Sequence, residues 1–153
     1  LVELVGMKCV IVDDRPQFAD SEHFPPTSHV LVSDFEDCFE KLSITPASFI
    51  VIVTRGHKYD QLVLSKAVRT QAGYIGLIGS KPKIAGIYKT LRDEGVTQEE
   101  LDEIHAPIGI DIGSRTPEEI AISIAAELIA HRRKAYLKGN NRRLGKAGRS
   151  TTY

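Results

Sequence analysis

Short aliphatic runs that alternate with helix-forming segments constrain the fold of this chain more than any other feature. The runs are KCVIVDD (8–14), HVLVS (29–33), SFIVIVT (48–54) and YIGLIG (74–79). Each is nearly continuous rather than alternating between apolar and polar residues, which is typical of strands buried on both faces. Strands that alternate with helices form parallel sheets through right-handed crossovers. The pattern therefore predicts an α/β, Rossmann-like fold, a parallel sheet with helices on both faces.

The segments between and after these runs have the composition and periodicity of helices. TQEE (97–100) and TPEE (116–119) match the capping-box pattern, which predicts that helices begin at both places. Residues 15–28 contain three prolines and are predicted to form a loop. The predicted helices cover 34–42, 60–71, 82–94 and about 117–136.

The start of the chain is unusual for such a fold. Residues 1–7, LVELVGM, have the pattern of the last turns of an amphipathic helix. A dinucleotide-binding unit opens with a strand, a glycine-rich turn and then a helix. We therefore expect that the first strand and the glycine-rich turn are missing, so that the domain is N-terminally incomplete. A sheet without its central strand exposes unpaired backbone, and from this we expect a homo-oligomer.

Length and composition fit one soluble domain. The chain has 153 residues, 42% of them hydrophobic, and no apolar run approaches the roughly 20 residues that cross a bilayer. Its N-terminus lacks the features of a signal peptide, so we expect a cytoplasmic protein with no membrane partner. Cys9 and Cys38 do not have the spacing of a disulfide framework or a metal pair, and no metal site is predicted.

The net charge of zero conceals an uneven distribution. Residues 131–153 hold eight Lys or Arg and no acid, whereas residues 1–130 hold 12 basic and 20 acidic residues. We interpret residues 1–136 as the Rossmann-like domain and residues 137–153 as a basic, flexible tail. The acidic body disfavours nucleic acid as a partner.

Polar residues follow the first strand. Asp13 stands where a carboxylate can accept hydrogen bonds from the vicinal hydroxyls of a ribose, and Arg15 offers a guanidinium to a phosphate. The alternative is that Asp13 and Asp14 form an acid pair that caps the loop.

The segment TRGHKYD (54–60) follows the third strand, at the edge where open α/β sheets usually bind ligands. Thr54 and His57 are therefore candidate cofactor-binding residues. His57 is either an acid, base or ligand, or a residue that stabilises the loop. Asp60 is expected either to orient His57 or to be the N-cap of the next helix.

The stretch YIGLIGSKPK (74–83) raises the question of a phosphate site. Gly79 and Ser80 are predicted to form a turn into a helix that begins near Lys81 or Pro82. Free N–H groups, the helix dipole, Lys81 and Lys83 would then favour an anion. The alternative is a tight turn, because Pro82 lacks a donor and glycines permit close packing.

A loop at 105–116 leads into the last helix. Its Gly109 and Gly113 suit positive φ, and Asp111 is a candidate for a ligand contact, a pair with Arg115 or a local hydrogen bond. The sequence contains no recognisable set of nucleophile, base and orienting residue, so no catalytic residue is predicted.

Four of these segments together resemble one known family, the XdhC/CoxI family. The resemblance is to its C-terminal Rossmann domain and extends over about residues 1–134. Members of the family are accessory proteins of molybdenum hydroxylases such as xanthine dehydrogenase. The segments are IVDDRPQFAD, FIVIVTRGHKYD, YIGLIGSKPK and IHAPIGIDIGSRTPEEIAISIAAELIAHRR.

The resemblance implies a chaperone more than a catalyst. The family's implied role is to bind the molybdenum cofactor, protect it while its terminal sulfur is installed, and pass it to the apo-hydroxylase. The implied partners are a molybdenum hydroxylase and the cofactor sulfuration machinery. Because the family's N-terminal domain and glycine-rich turn are absent, no cofactor is expected to bind tightly to this chain alone. The alternative is an NAD(P)-binding sensor or oxidoreductase domain, since fold alone does not fix function.

Overall fold

The computed structural model describes residues 1–144, with side chains through residue 134. These residues belong to two compact units, Leu1–Ile108 and a second that begins at Gly109. The candidate residues at the strand ends all lie in the first unit.

The described residues of the first unit form parallel strands in two ladders. One ladder pairs β1 with β2, and the other has the order β3-β4-β5. The four predicted strands and the α/β, Rossmann-like character of the chain are confirmed, but β1 and β3 are both edge strands instead of members of one sheet. The strands are β1 Val10–Asp13, β2 His29–Val32, β3 Phe49–Ile52, β4 Tyr74–Leu77 and β5 Ile104–His105.

The α-helices follow the strands in the expected order. Thr97 and Glu100 form the predicted capping box, and Thr116 and Glu119 exchange the corresponding hydrogen bonds at the start of the last helix. The first helix begins three residues earlier than predicted. The helices are α1 His57–Ala67, α2 Lys81–Asp93, α3 Gln98–Asp102 and α4 Pro117–Leu144.

Two predicted helical segments are only single turns of 3₁₀-helix. Within 34–42 the turn is Cys38–Lys41, and within 1–7 it is Val2–Val5. So short a helix gains little from its own hydrogen bonds. A single turn already buries Cys38, whereas Leu4 in the other turn is 86% exposed.

The last helix continues beyond its predicted end at residue 136 and reaches Leu144. No proline follows Pro117, and the Lys and Arg residues of this segment are good helix formers. The remainder of the predicted flexible tail, 145–153, lies outside the described residues. None of the helices in the described part is long and apolar enough to cross a membrane.

The core of the first unit lies where α1 and α2 pack against each other and α1 packs on β3 and β4. Its most deeply buried side chains include Ile52, Leu64 and Leu77. Val51 in β3 points the other way and is 39% exposed, and Val53, the residue that follows β3, is 59% exposed. Val10 of β1 is 48% exposed. The expectation that these strands are buried on both faces is therefore wrong at these positions.

Candidate functional site

Every residue predicted for the site lies where a parallel strand ends. Asp13 is the last residue of β1, Thr54 follows β3, and Gly79 follows β4. His57 and Lys81 are the first residues of α1 and α2. The loops after β3 and β4 share one edge of their sheet, because the two strands are paired in parallel.

Asp13 and Arg15 form a closed pair. Arg15 donates from Nε to Oδ1 of Asp13 at 2.9 Å and from Nη2 to Oδ2 at 3.0 Å. The guanidinium also lies 3.8 Å from the centre of the Phe18 ring. The Arg15 hydrogen bond lowers the pKa of the Asp13 carboxyl, and Asp13 raises the pKa of Arg15. Both carboxylate oxygens are engaged, so a ribose would have to compete with Arg15.

Asp14 reaches a different loop. Its carboxylate accepts from Nη1 and Nη2 of Arg55 at 2.5 and 2.6 Å, which ties the end of β1 to the segment after β3. The Arg55 guanidinium lies over the Tyr59 ring, and its hydrogen bond to the Asp14 carboxylate raises the pKa of Arg55. The sequence alone does not predict this pair. The one signal in the sequence is that opposite charges stand within three residues of two strand ends.

Asp60 is fully buried and holds two loops. Its Oδ1 accepts from the Thr54 hydroxyl at 2.7 Å and from the Thr54 N–H at 3.3 Å, and its Oδ2 pairs with the Lys83 ammonium. The expected role of Asp60 as N-cap is wrong, since Gly56 is the N-cap of α1. Both of its carboxylate oxygens are engaged by Thr54 and Lys83, so the structure gives no support to the other expected role, the orientation of His57. Lys83 thus faces a carboxylate of the protein and not the bound anion expected for it, because a buried carboxylate needs a cationic partner.

His57 is exposed and lies between α1 and α2. Its Cε1 atom is 3.8 Å from the position that a Cβ would take at Gly86, which belongs to α2. The imidazole therefore lies at the surface beside α2. This position is compatible with both predicted roles, the ligand contact and the stabilisation of the loop.

The turn Gly79–Ser80 leads into α2 at Lys81, as predicted. Ser80 is the N-cap in an extended conformation, and its hydroxyl makes no capping hydrogen bond. Lys81 is exposed, and none of the ion pairs between described side chains involves it. Gly76 serves close packing, because a Cβ there would overlap the Ile108 side chain. The groups available to an anion are thus the Ser80 hydroxyl, the first N–H groups of α2 and the Lys81 ammonium.

The loop in the second unit has the predicted conformation. Gly109 and Gly113 have φ of 105° and 73°. Asp111 accepts a hydrogen bond from the Gly113 N–H at 3.1 Å, so the observed contact of Asp111 is local. Gly109 donates its N–H to Glu127.

The side chains around Ser80 offer donors and positive charge rather than metal ligands. Among the described side chains, no three His, Cys, Asp or Glu residues come together as a metal site. Burial raises the pKa of both Cys9 and Cys38, which disfavours the thiolates that bind soft metals. Asp13, Asp14 and Asp60 are each matched by a cation, so Lys81 leaves a positive charge beside Ser80. The turn before α2 therefore offers hydrogen-bond donors and a positive charge to an anion.

Comparison with known proteins gives one family and several longer relatives. Residues 1–128 match the family model described as the XdhC Rossmann domain. An uncharacterized protein of Escherichia coli, YqeB, is 34% identical over 127 residues, and a probable subunit of xanthine dehydrogenase from Bacillus subtilis is 26% identical over 129 residues. These alignments cover 82% and 84% of this chain.

A solved structure gives the same result. A crystal structure described as a xanthine dehydrogenase from Bacillus halodurans is similar with a TM-score of 0.74, at 31% identity over 87% of this chain. The chain spans only 23% and 37% of the E. coli and B. subtilis relatives and 38% of the crystallised chain. Because the family model covers most of the sequence, the chain belongs to the XdhC Rossmann-domain family.

Proposed function

We propose that this chain is the Rossmann domain of an accessory protein for a molybdenum hydroxylase of the xanthine dehydrogenase type. Within that protein it would bind the phosphate-bearing end of the molybdenum cofactor and help to deliver the cofactor to the hydroxylase. The observation that carries this proposal is the match of residues 1–128 to the XdhC Rossmann domain. The names of the B. subtilis relative and the B. halodurans structure support the association with xanthine dehydrogenase.

The residues of the β4–α2 turn would hold the phosphate. Ser80 would donate its hydroxyl, and Lys81 would supply an ammonium to the same oxygen atoms. Thr54 would act indirectly, because its hydroxyl is already donated to Asp60. His57 would line the approach from the α1 side. When bound, the cofactor supplies the molybdenum chemistry. This chain would hold the cofactor without itself catalysing a reaction.

Cofactor retention in the intact protein tests the proposal. The protein would be loaded with molybdenum cofactor released from a purified molybdoenzyme and separated by gel filtration, and the retained pterin would be oxidised to its fluorescent form and measured. We expect Ser80→Ala with Lys81→Ala to weaken binding by roughly tenfold to a hundredfold, since a charge-assisted hydrogen bond contributes about 1.5–3 kcal/mol. Lys89→Ala, at an exposed lysine of the same helix, is the matched control.

Two results would contradict the proposal. Equal retention by the double variant and the wild type, with identical circular dichroism, would leave Gly79–Ser80 as a tight turn only. A wild-type protein that retains no cofactor but binds NADH or NADPH would favour the alternative, an NAD(P)-binding sensor or oxidoreductase domain. In this chain alone, the closed pair of Asp13 and Arg15 argues for weak dinucleotide binding.

We also infer that the exposed strand residues are covered in the assembled protein. β1 and β3 are both edge strands, and Val10, Val51 and Val53 are exposed, which costs free energy in water. A second copy of the chain is the occupant that we propose, so that light scattering at micromolar concentration should report a dimer or larger. A stable monomer would contradict this. The hydroxylase and the cofactor sulfuration machinery are proposed as further, cytoplasmic partners.

A further inference from the structure

The buried carboxylate of Asp60 connects two of the loops that form the candidate site. It lies in the first turn of α1, where solvent reaches none of it. On one side it accepts both hydrogen bonds from Thr54, which directly precedes the Arg55–His57 segment. On the other side it pairs with Lys83, in the first turn of α2.

The side chain of Lys83 passes close to Gly79 on its way to Asp60. A Cβ at Gly79 would lie 3.3 Å from Cδ of Lys83 and 3.5 Å from Cγ1 of Ile84. With no side chain at Gly79, the methylene groups of Lys83 pass beside the turn. A side chain at the position before Ser80 would therefore press lightly on the lysine of the ion pair.

We propose that Asp60 is a positioning residue that, through Thr54 and Lys83, holds the loop after β3 and the first turn of α2 in one arrangement for anion binding. This inference rests on the proposed function, because the anion is the cofactor phosphate suggested for Ser80 and Lys81. Asp60 itself touches no ligand in this arrangement. Lys83 is its counter-ion, which leaves Lys81 as the lysine that meets the anion.

Amide hydrogen exchange of the full chain tests the connection without any ligand. The Ile84 N–H donates to the Ser80 carbonyl at 3.0 Å, so its exchange rate reports on the first turn of α2. We expect Asp60→Asn, which keeps an acceptor for Thr54 but removes the charge facing Lys83, to speed exchange at Ile84 by about tenfold, as expected for the loss of one charge-assisted hydrogen bond. Thr54→Val should also speed exchange at Ile84, but by less. Because residue 54 lies in a different loop from Ile84, such an effect would have to pass through Asp60 and Lys83.

Controls separate this effect from general destabilisation. Leu91, fully buried in α2, provides the internal reference, and only exchange at Ile84 relative to Leu91 counts. Asp93→Asn, at an exposed acid near the end of α2, should leave that ratio unchanged. An unchanged ratio in both Asp60→Asn and Thr54→Val would overturn the proposal.

Titration with inorganic phosphate then tests the functional part. We expect the amide resonances of Ser80 and Lys81 to shift on addition of phosphate, and the apparent Kd to rise severalfold in Asp60→Asn. An equal Kd in the wild type and the variant would overturn the positioning role for binding. A wild-type chain whose resonances do not respond would count against the proposed phosphate site, whereas the exchange result decides separately whether Asp60 holds the two loops together.

Discussion

The two acidic residues at the end of β1 and the one in the first turn of α1 are all paired with cations, but in different environments. Asp13 and Asp14 face Arg15 and Arg55 at the surface, and their side chains keep 22% and 14% of their exposure. Asp60 faces Lys83 from a position that solvent does not reach. Exposed pairs gain little because water and salt screen them, whereas a buried charge depends on its partner.

This difference assigns different roles to the two groups. The surface pairs can open when a ligand or a partner offers better contacts, since their charges can return to water. The Asp60–Lys83 pair cannot open without leaving a carboxylate in an apolar environment. The ends of β1 and β3 are thus joined by an adjustable contact, and the loops after β3 and β4 by a fixed one.

Removing the buried cation should have the largest effect on stability. We expect Lys83→Met to lower the free energy of unfolding by about 3 kcal/mol, near the lower end of the range for a broken buried pair because Lys83 is itself partly exposed. Adding Asp60→Asn should recover a large part of this loss, since no buried charge is then left. Urea denaturation followed by circular dichroism measures both values.

The matched control is Arg55→Met, which removes the cation of the surface pair with Asp14. Its effect should be clearly smaller than that of Lys83→Met and should shrink further at high salt, because exposed pairs are screened. Equal losses in the two variants would show that burial does not distinguish the pairs.

Much of the fold was predictable because local signals agreed with the tertiary structure. The strands ending at Asp13 and Ile52 and the capping boxes at Thr97 and Thr116 appear where the sequence indicates them. The segment 34–42 failed because its helical pattern extends over too few residues to form a stable helix. The separation of the strands into two ladders depends on pairing between distant segments, which no local pattern specifies.

The sequence predicts where the candidate residues lie in the fold, but not which side chains they pair with. Strand ends mark the ligand edge of a parallel sheet, and this placed Thr54, Ser80 and Lys81 correctly at that edge. The pairing of side chains cannot be predicted from strand ends in the same way. The position of Lys83 two residues after Lys81 predicts that both meet a bound anion, yet the burial of Asp60 decides where the Lys83 ammonium lies.

The surface pair of Asp13 and Arg15 should make the free energy of unfolding modestly dependent on pH. The folded protein holds the pKa of the Asp13 carboxyl below its ordinary value of 3.8, chiefly through the Arg15 hydrogen bond. The lowered pKa means that the charged form stabilises the folded state, so this contribution is complete above about pH 5 and is lost as the pH falls through the folded pKa. The difference in free energy of unfolding between the wild type and Asp13→Asn should therefore shrink between neutral pH and pH ~3, and it should also be smaller in high salt. Using Asp13→Asn as the reference removes the contributions of Glu3, Glu100 and other acids whose pKa values are also lowered. A difference that stays constant over this pH range would mean that Arg15 does not favour the charged form of Asp13. The Asp13–Arg15 pair could then no longer serve as the exposed pair with which the buried Asp60–Lys83 pair is compared.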